Sequence, residues 1–315
     1  MWDTAESEFN IVDATPFKRD VLKELTDECH KQGIKLHFYY SHIDWARDEY
    51  PLGRTGRQVI GRDNANADWP AYYDFMNKQL TELLTNYGEV YEVWFDGACA
   101  EGPNGKRQVY DWQAYLETIH KLQPNAVSAI MGDDVRWVGN EGGRGRETEW
   151  SATPYTPLSH KGGPEANEAL GLGEMTPDLG SRELVARAAG IYWYPSEVDV
   201  SIRPGWFYHK WQDDEVRSLA NLVDIYYTSV GRNSVLLLNI PPDRRGLIHE
   251  IDAERIEAFG NYLAQNFDDN LIDGAAKYWE AHKGDCREFK VRDGAIINTL
   301  LLQEDISRGQ RVESF

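Results

Sequence analysis

The sequence predicts an α/β fold: a (β/α)8-like, TIM-type barrel, incomplete at its N-terminal side, followed by the start of a β-sandwich. Three observations lead there. Helix-like and strand-like segments alternate along most of the chain, which implies a parallel sheet covered by helices. Ser234-Val-Leu-Leu-Leu-Asn-Ile240 is an apolar run of the kind buried on both faces of such a sheet. No GxGxxG follows the first strand, as an open nucleotide-binding sheet would favour, whereas polar and aromatic residues gather just past several successive strands.

Taken in order, Thr15-Pro16 reads as a helix start, with Phe17, Val21, Leu25 and Cys29 recurring every fourth residue until Gly33. Residues 34–41 form a strand. Asp68 caps a second helix whose apolar set is Tyr72, Phe75, Met76, Leu80, Leu83 and Leu84, closing at Gly88. A strand ending at Asp96 follows, then a helix from about Val109 to Leu122 and a strand over 126–131. Beyond a glycine-rich stretch come a short helix over 182–189, an extended segment over 197–201, and a helix from Asp213 to Val230. The strand 234–240 and a helix capped by Asp252 complete the barrel pattern. About five strands are legible where a closed barrel has eight, and the first element is a helix with no strand before it. We therefore expect residues 1–268 to form a barrel lacking its first strands. Residues 269–315, with strand-like pieces near 274–279 and 294–303, should open a β-sandwich.

The balance of 33 basic against 52 acidic residues, a formal charge of −19, argues against nucleic acid or an anionic membrane as partner and favours neutral substrates. Cys29, Cys99 and Cys286 lie too far apart for a disulfide framework or a zinc site. Cys29 fits a core position, and Cys99, a conceivable thiol nucleophile, has no close histidine or lysine. The histidines show no metal-ligand spacing, so neither metal nor other cofactor is expected. No run reaches the ~18 apolar residues of a membrane span, and no signal peptide is read at the N-terminus.

Chemistry is foreshadowed at Asp96. In Tyr91-Glu-Val-Trp-Phe-Asp-Gly97, Val93 and Phe95 share one strand face, Trp94 and Asp96 the other. An indole beside a carboxylate at a strand's C-terminal end suits a sugar-cleaving site, which needs two carboxylates. An aspartate that merely opens a turn would look the same. The best candidate for the second acid is Glu141, in Asp134-Val-Arg-Trp-Val-Gly-Asn-Glu-Gly-Gly143, although a solvated acidic loop is the slightly favoured reading of that segment taken alone. Trp94, Trp137, Trp150 and Trp206 offer stacking surfaces or loop anchors.

Together these pieces resemble glycoside hydrolase family 29, the α-L-fucosidases. The resemblance is carried by Thr15-Pro-Phe-Lys-Arg-Asp-Val21, Gly33-Ile-Lys with Tyr-Tyr-Ser41, Val93-Trp-Phe-Asp-Gly97 and Arg136-Trp-Val-Gly-Asn-Glu141. Val198-Asp-Val-Ser-Ile-Arg-Pro-Gly-Trp-Phe-Tyr-His209 and Ser229-Val-Gly-Arg-Asn233 with Leu-Leu-Leu-Asn-Ile-Pro-Pro-Asp243 extend it along the chain. It implies retaining exo-hydrolysis of α-L-fucosides, with α-1,3/1,4-linked fucose preferred, Asp96 as nucleophile and Glu141 as acid/base. It also implies sugar contacts from Tyr39 (or Tyr40 in the alternative alignment), Trp94, Trp206 and Arg136, a fucosylated glycan as partner, and a periplasmic or secreted location. The family's adjacent His-His pair is missing from this sequence. A protein that binds fucosylated glycans without catalysis, or an inactive fragment of such an enzyme, is the competing expectation.

Overall fold

The computed structural model describes residues 1–50, 65–97, 110–272, 278–306 and 312. Two compact units are present: Met1–Asn140 with Arg146–Glu197 and Asn233–Val235, and Glu141–Gly145 with Val198–Arg232 and Leu236–Phe315.

The first unit begins with α1 (Val21–Gln32), β1 (His37–Ser41), α2 (Trp69–Asn86), β2 (Glu92–Asp96), α3 (Trp112–Leu122), β3 (Val127–Ile130) and β4 (Val135–Trp137). It continues through β5 (Ala152–Thr153), α4 (Gly163–Leu170), α5 (Arg182–Arg187) and β6 (Tyr192–Trp193). β7 (Ser196–Ser201) leads into the second unit, which holds a 3-10 turn (Lys210–Glu215), α6 (Leu219–Ser229), β8 (Val235–Asn239, starting in the first unit) and α7 (Glu250–Phe267). Six strands form one sheet in the order β1-β2-β3-β4-β7-β8, and the pairings from β1 through β7 are parallel. The fold is thus the predicted α/β, TIM-type class.

The first core is built where the periodicity placed it. Tyr72, Phe75, Met76, Leu80, Leu83 and Leu84 of α2 are all buried, against Phe38 and Tyr40 of β1, Val93 and Phe95 of β2, and Tyr115 and Ile119 of α3. Each such side chain contributes about 1.5–3 kcal/mol on leaving water. Asp68 and Asp111 accept the N–H groups of Ala71 and Ala114 and so open α2 and α3.

Several boundaries differ from expectation for local reasons. α1 starts at Val21, not near Thr15. The Thr15 hydroxyl donates to the Ile11 carbonyl, Lys18 turns left-handed (φ 55°), and Asp20 caps the helix instead. Phe17 and Leu25 are consequently exposed and Cys29 only half-buried. β4 lies within the segment expected to be a loop; at three residues it has no periodicity to announce it, and pairing with β3 and β7 makes it a strand. Asp213 does not cap a long helix, because its carboxylate accepts from Arg203 Nη1 at 2.9 Å; Ser218 caps the shorter α6. Asp252 does not cap α7 either: His249 precedes the helix, and Asp252 is fully buried against Arg203. β8 is half-buried rather than enclosed on both faces, with Val235 51% exposed.

Beyond α7, the described residues make a single isolated bridge between Ile272 and Val291. Ile296, Leu300 and Leu301 are exposed and the 294–303 segment has no strand partner among the described residues. Residues 274–277 and Cys99 lie outside the described set.

Candidate active site

β1 and β2 lie in parallel register with Tyr39 opposite Trp94 and Ser41 opposite Asp96. Val93 and Phe95, 1% and 0% exposed, enter the core, while Trp94 and Asp96 are half-buried on the other face. That is the alternation expected from the sequence. Asp96 Oδ2 accepts the Tyr39 hydroxyl, and Oδ1 accepts the Gly97 N–H at 2.5 Å. Gly97 has φ +80°, and a Cβ there would stand 2.8 Å from Ile43 Cδ1 and Cγ1, so only glycine fits the turn. One carboxylate oxygen therefore shapes the turn and the other is aimed by a phenol.

The Tyr39 and Trp94 rings stack, centroids 5.4 Å apart and planes 18° from parallel. Partial burial, then the hydrogen bond to Asp96, pushes the Tyr39 hydroxyl up, which keeps it protonated and donating. The Trp94 indole N–H donates to Glu197 Oε1 at 2.6 Å, from a glutamate 3% exposed on β7. Earlier in the same two strands, His37 Nδ1 meets the buried Glu92 Oε2 at 2.6 Å. Behind the site, His42 is enclosed by aromatic rings, stacked on Phe95 at 4.8 Å. Burial pushes its imidazole down to about 3, so it stays neutral. Tyr40, on the opposite face from Tyr39, spends its hydroxyl on Gln79 Oε1 at 2.8 Å inside the core.

The other sequence candidates fall in different surroundings. Arg136 is 2% exposed and donates to Glu149, to the Tyr194 carbonyl and to the Trp150 carbonyl, which makes it a strut between β4 and the segments around it. Burial pushes its guanidinium down, and Glu149 opposes the shift. Trp150 anchors a loop, its indole N–H donating to Asp178 Oδ1 at 2.8 Å. In the second unit, Glu141 is exposed. Its segment is nevertheless pinned: a Cβ at Gly143 (φ +78°) would stand 3.0 Å from Ile225 Cγ1, and the Gly145 N–H donates to the Thr228 carbonyl at 2.7 Å. Trp206 is half-buried, and its carbonyl accepts from Asn239 Nδ2 at 3.1 Å. Asp96, Tyr39, Trp94 and Arg136 thus belong to the first unit, Glu141 and Trp206 to the second. Glu197 and the His37–Glu92 pair went unnoticed in the sequence, although acids alternating with valines in Glu197-Val-Asp-Val200 mark a strand with one charged face. Among the described residues, no group of three or more His, Cys, Asp or Glu is placed to hold a metal ion. No described helix is long and apolar enough to cross a membrane.

A parallel α/β sheet with a carboxylate and stacked aromatic rings at one strand's C-terminal end is an arrangement that suits a sugar-cleaving barrel. Comparison with known proteins narrows this. The sequence matches the α-L-fucosidase family over residues 1–268, and the chain belongs to that family. It is 35% identical to alpha-L-fucosidase 1 of Arabidopsis thaliana, over 94% of this chain and 57% of that protein. The crystal structure of a candidate α-L-fucosidase from Bacteroides ovatus matches with TM-score 0.86 and 51% identity, covering 98% of this chain and 51% of that one. A Ruminococcus gnavus GH29 fucosidase in complex with fucose matches with TM-score 0.66 and 25% identity, over 87% of this chain and 54% of its own. The chain therefore spans little more than half the length of these relatives.

Proposed function

We propose that the chain carries the catalytic part of a retaining exo-α-L-fucosidase, acting on terminal α-linked L-fucose of oligosaccharides or glycoconjugates and preferring α-1,3/1,4 linkages. The observation that carries this reading is Asp96, set at the end of β2 and oriented by the Tyr39 hydroxyl and the Gly97 N–H beside the Trp94 ring. Fucose bound to the Ruminococcus gnavus relative supports the choice of sugar.

Asp96 attacks C1 of the fucosyl ring as the bond from C1 to the leaving oxygen breaks, and Glu141 gives its proton to that oxygen. A water then attacks C1 of the fucosyl ester, its proton passes to Glu141, and the ester C–O bond breaks to release fucose with the α configuration kept. This requires the two carboxyl groups about 5–5.5 Å apart when substrate is bound. The family resemblance is what supports a periplasmic or secreted location.

Hydrolysis of an aryl α-L-fucoside tests the reading. Asp96→Ala should lower kcat by at least about 10³-fold, the scale on which loss of a nucleophile registers. Added azide should restore turnover and yield the β-fucosyl azide, since azide then attacks the face that Asp96 used. Near wild-type turnover in Asp96→Ala eliminates the assignment. The exposure of Glu141 favours one competing reading, a protein that binds fucosylated glycans without cleaving them, or an inactive fragment of such an enzyme. Calorimetric binding of fucose with no release from the aryl fucoside would select it.

A further inference from the structure

Four side chains of the first unit make an unbroken chain of contacts that ends on Asp96. Glu197 Oε1 accepts the Trp94 indole N–H at 2.6 Å, the Trp94 ring stacks on Tyr39 at 5.4 Å, and the Tyr39 hydroxyl donates to Asp96 Oδ2. Glu197 is the only one of the four that is buried, at 3% exposure. It lies on β7, whose backbone holds it in register opposite Trp137 of β4.

We propose that Glu197 is a positioning residue for the fucosidase reaction: it fixes the plane of Trp94 and, through Tyr39, the aim of the Asp96 carboxylate. The inference rests on the hydrolase reading of Asp96. The physical basis is geometric. A stacked pair leaves each ring free to slide and rotate in its own plane, whereas a hydrogen bond at the indole nitrogen removes that freedom for Trp94. Tyr39 is exposed over most of its surface, so the Trp94 face and the Asp96 oxygen are what hold its ring. A rigid anchor behind a mobile stack is the support a reacting group needs to stay within about 0.5 Å of its productive position. Burying a carboxylate costs several kcal/mol, so a glutamate here for packing alone would be an expensive choice.

The test uses the full chain with Glu197→Gln, which keeps an acceptor oxygen, and Glu197→Ala, which does not. Two readouts are taken: kcat and KM on an aryl α-L-fucoside, and solvent-exchange protection of the Trp94 indole proton by NMR, assigned with Trp94→Phe. Glu197→Ala should lose the protection and lower kcat about tenfold or more, with a smaller change in KM, because misaimed groups slow chemistry steeply. Glu197→Gln should restore both towards wild type. An unprotected indole in the wild type overturns the proposal, as does wild-type kcat in Glu197→Ala once protection is lost. Should Glu197→Ala fail to fold, Glu197→Gln decides: protection lost in that variant with kcat unchanged also overturns it. A wild-type chain that does not turn over the fucoside counts against the hydrolase reading instead. The indole readout then judges the contact chain alone, with retained protection in Glu197→Gln and its loss in Glu197→Ala supporting it.

Discussion

Carboxylates withdrawn from water are held in two different ways in this protein. In the second unit Arg203 and Asp252 are buried with no exposed side-chain surface, joined at 2.8 Å, and Asp213 closes on the same guanidinium at 2.9 Å. The first unit has a pair of the same kind, Arg136 on the buried Glu149, but there Asp96 accepts from a phenol and a backbone amide and Glu197 from an indole, all neutral donors. A cation cancels the charge it binds, and the pair then acts as a rivet. Neutral donors orient an oxygen while leaving its charge in place, which is what a nucleophile requires. The kind of partner, more than the depth of burial, separates these two sets of acids.

The sharpest way to break that contrast is at the rivet. Asp252→Ala leaves a buried guanidinium with one partner fewer and should lower the free energy of unfolding by about 3–5 kcal/mol, read as a drop in the urea midpoint. Replacing Arg203 and Asp252 together by Met and Leu should cost clearly less than Asp252→Ala alone, because no charge is then stranded. A single variant as stable as wild type would mean that water reaches the pair, and the distinction drawn here would fail.

The turn behind Asp96 comes next. Gly97→Ala must hold a side chain at φ +80° and displace Ile43, which should cost about 1–3 kcal/mol and disturb the Asp96 carboxylate as well. Thermal unfolding and fucoside turnover should fall together. Tyr39→Phe removes only the oxygen that aims Asp96 Oδ2. It should lower kcat by about tenfold, near 1.4 kcal/mol, with little change in the unfolding midpoint. Unchanged kcat in Tyr39→Phe would make the tyrosine a stacking surface only.

The same contrast explains which parts of the molecule were legible in the sequence. α2 has a full amphipathic period and a capping aspartate, and both its position and its buried face followed. β2 alternates cleanly, so the placement of Val93 and Phe95 in the core, with Trp94 and Asp96 on the other face, was visible from spacing alone. What stayed hidden depended on partners distant in sequence. Asp213 and Asp252 look like helix caps until Arg203 arrives to claim them. β4 is a strand only because two neighbours pair with it. Arg136 sits in a motif of sugar-contacting type, yet its bonds go to Glu149 and to two backbone carbonyls. Glu197 carries no local signal that an indole 103 residues away would need it.

The smallest effect tests an intermediate case, an acid whose partner is a cation only part of the time. Glu92 is buried, and His37 meets it at 2.6 Å with its own ring half exposed. The hydrogen bond that His37 donates to Glu92 raises the imidazole above its ordinary value, burial opposes this, and the charges of Glu92 and Glu197 add to the rise. A group whose folded pKa is raised contributes stability that is fully present below its unfolded value of about 6.5. That contribution is lost as pH climbs through the higher folded value. Stability should therefore decline modestly over this window, since the exposed side of the ring is screened by solvent. Glu92→Gln, which removes the charge that favours the imidazolium, should flatten the decline, as should His37→Gln, which removes the titrating group. Urea midpoints at a series of pH values above 6 measure it, and equal slopes in wild type and Glu92→Gln would show that the pair behaves as neutral throughout.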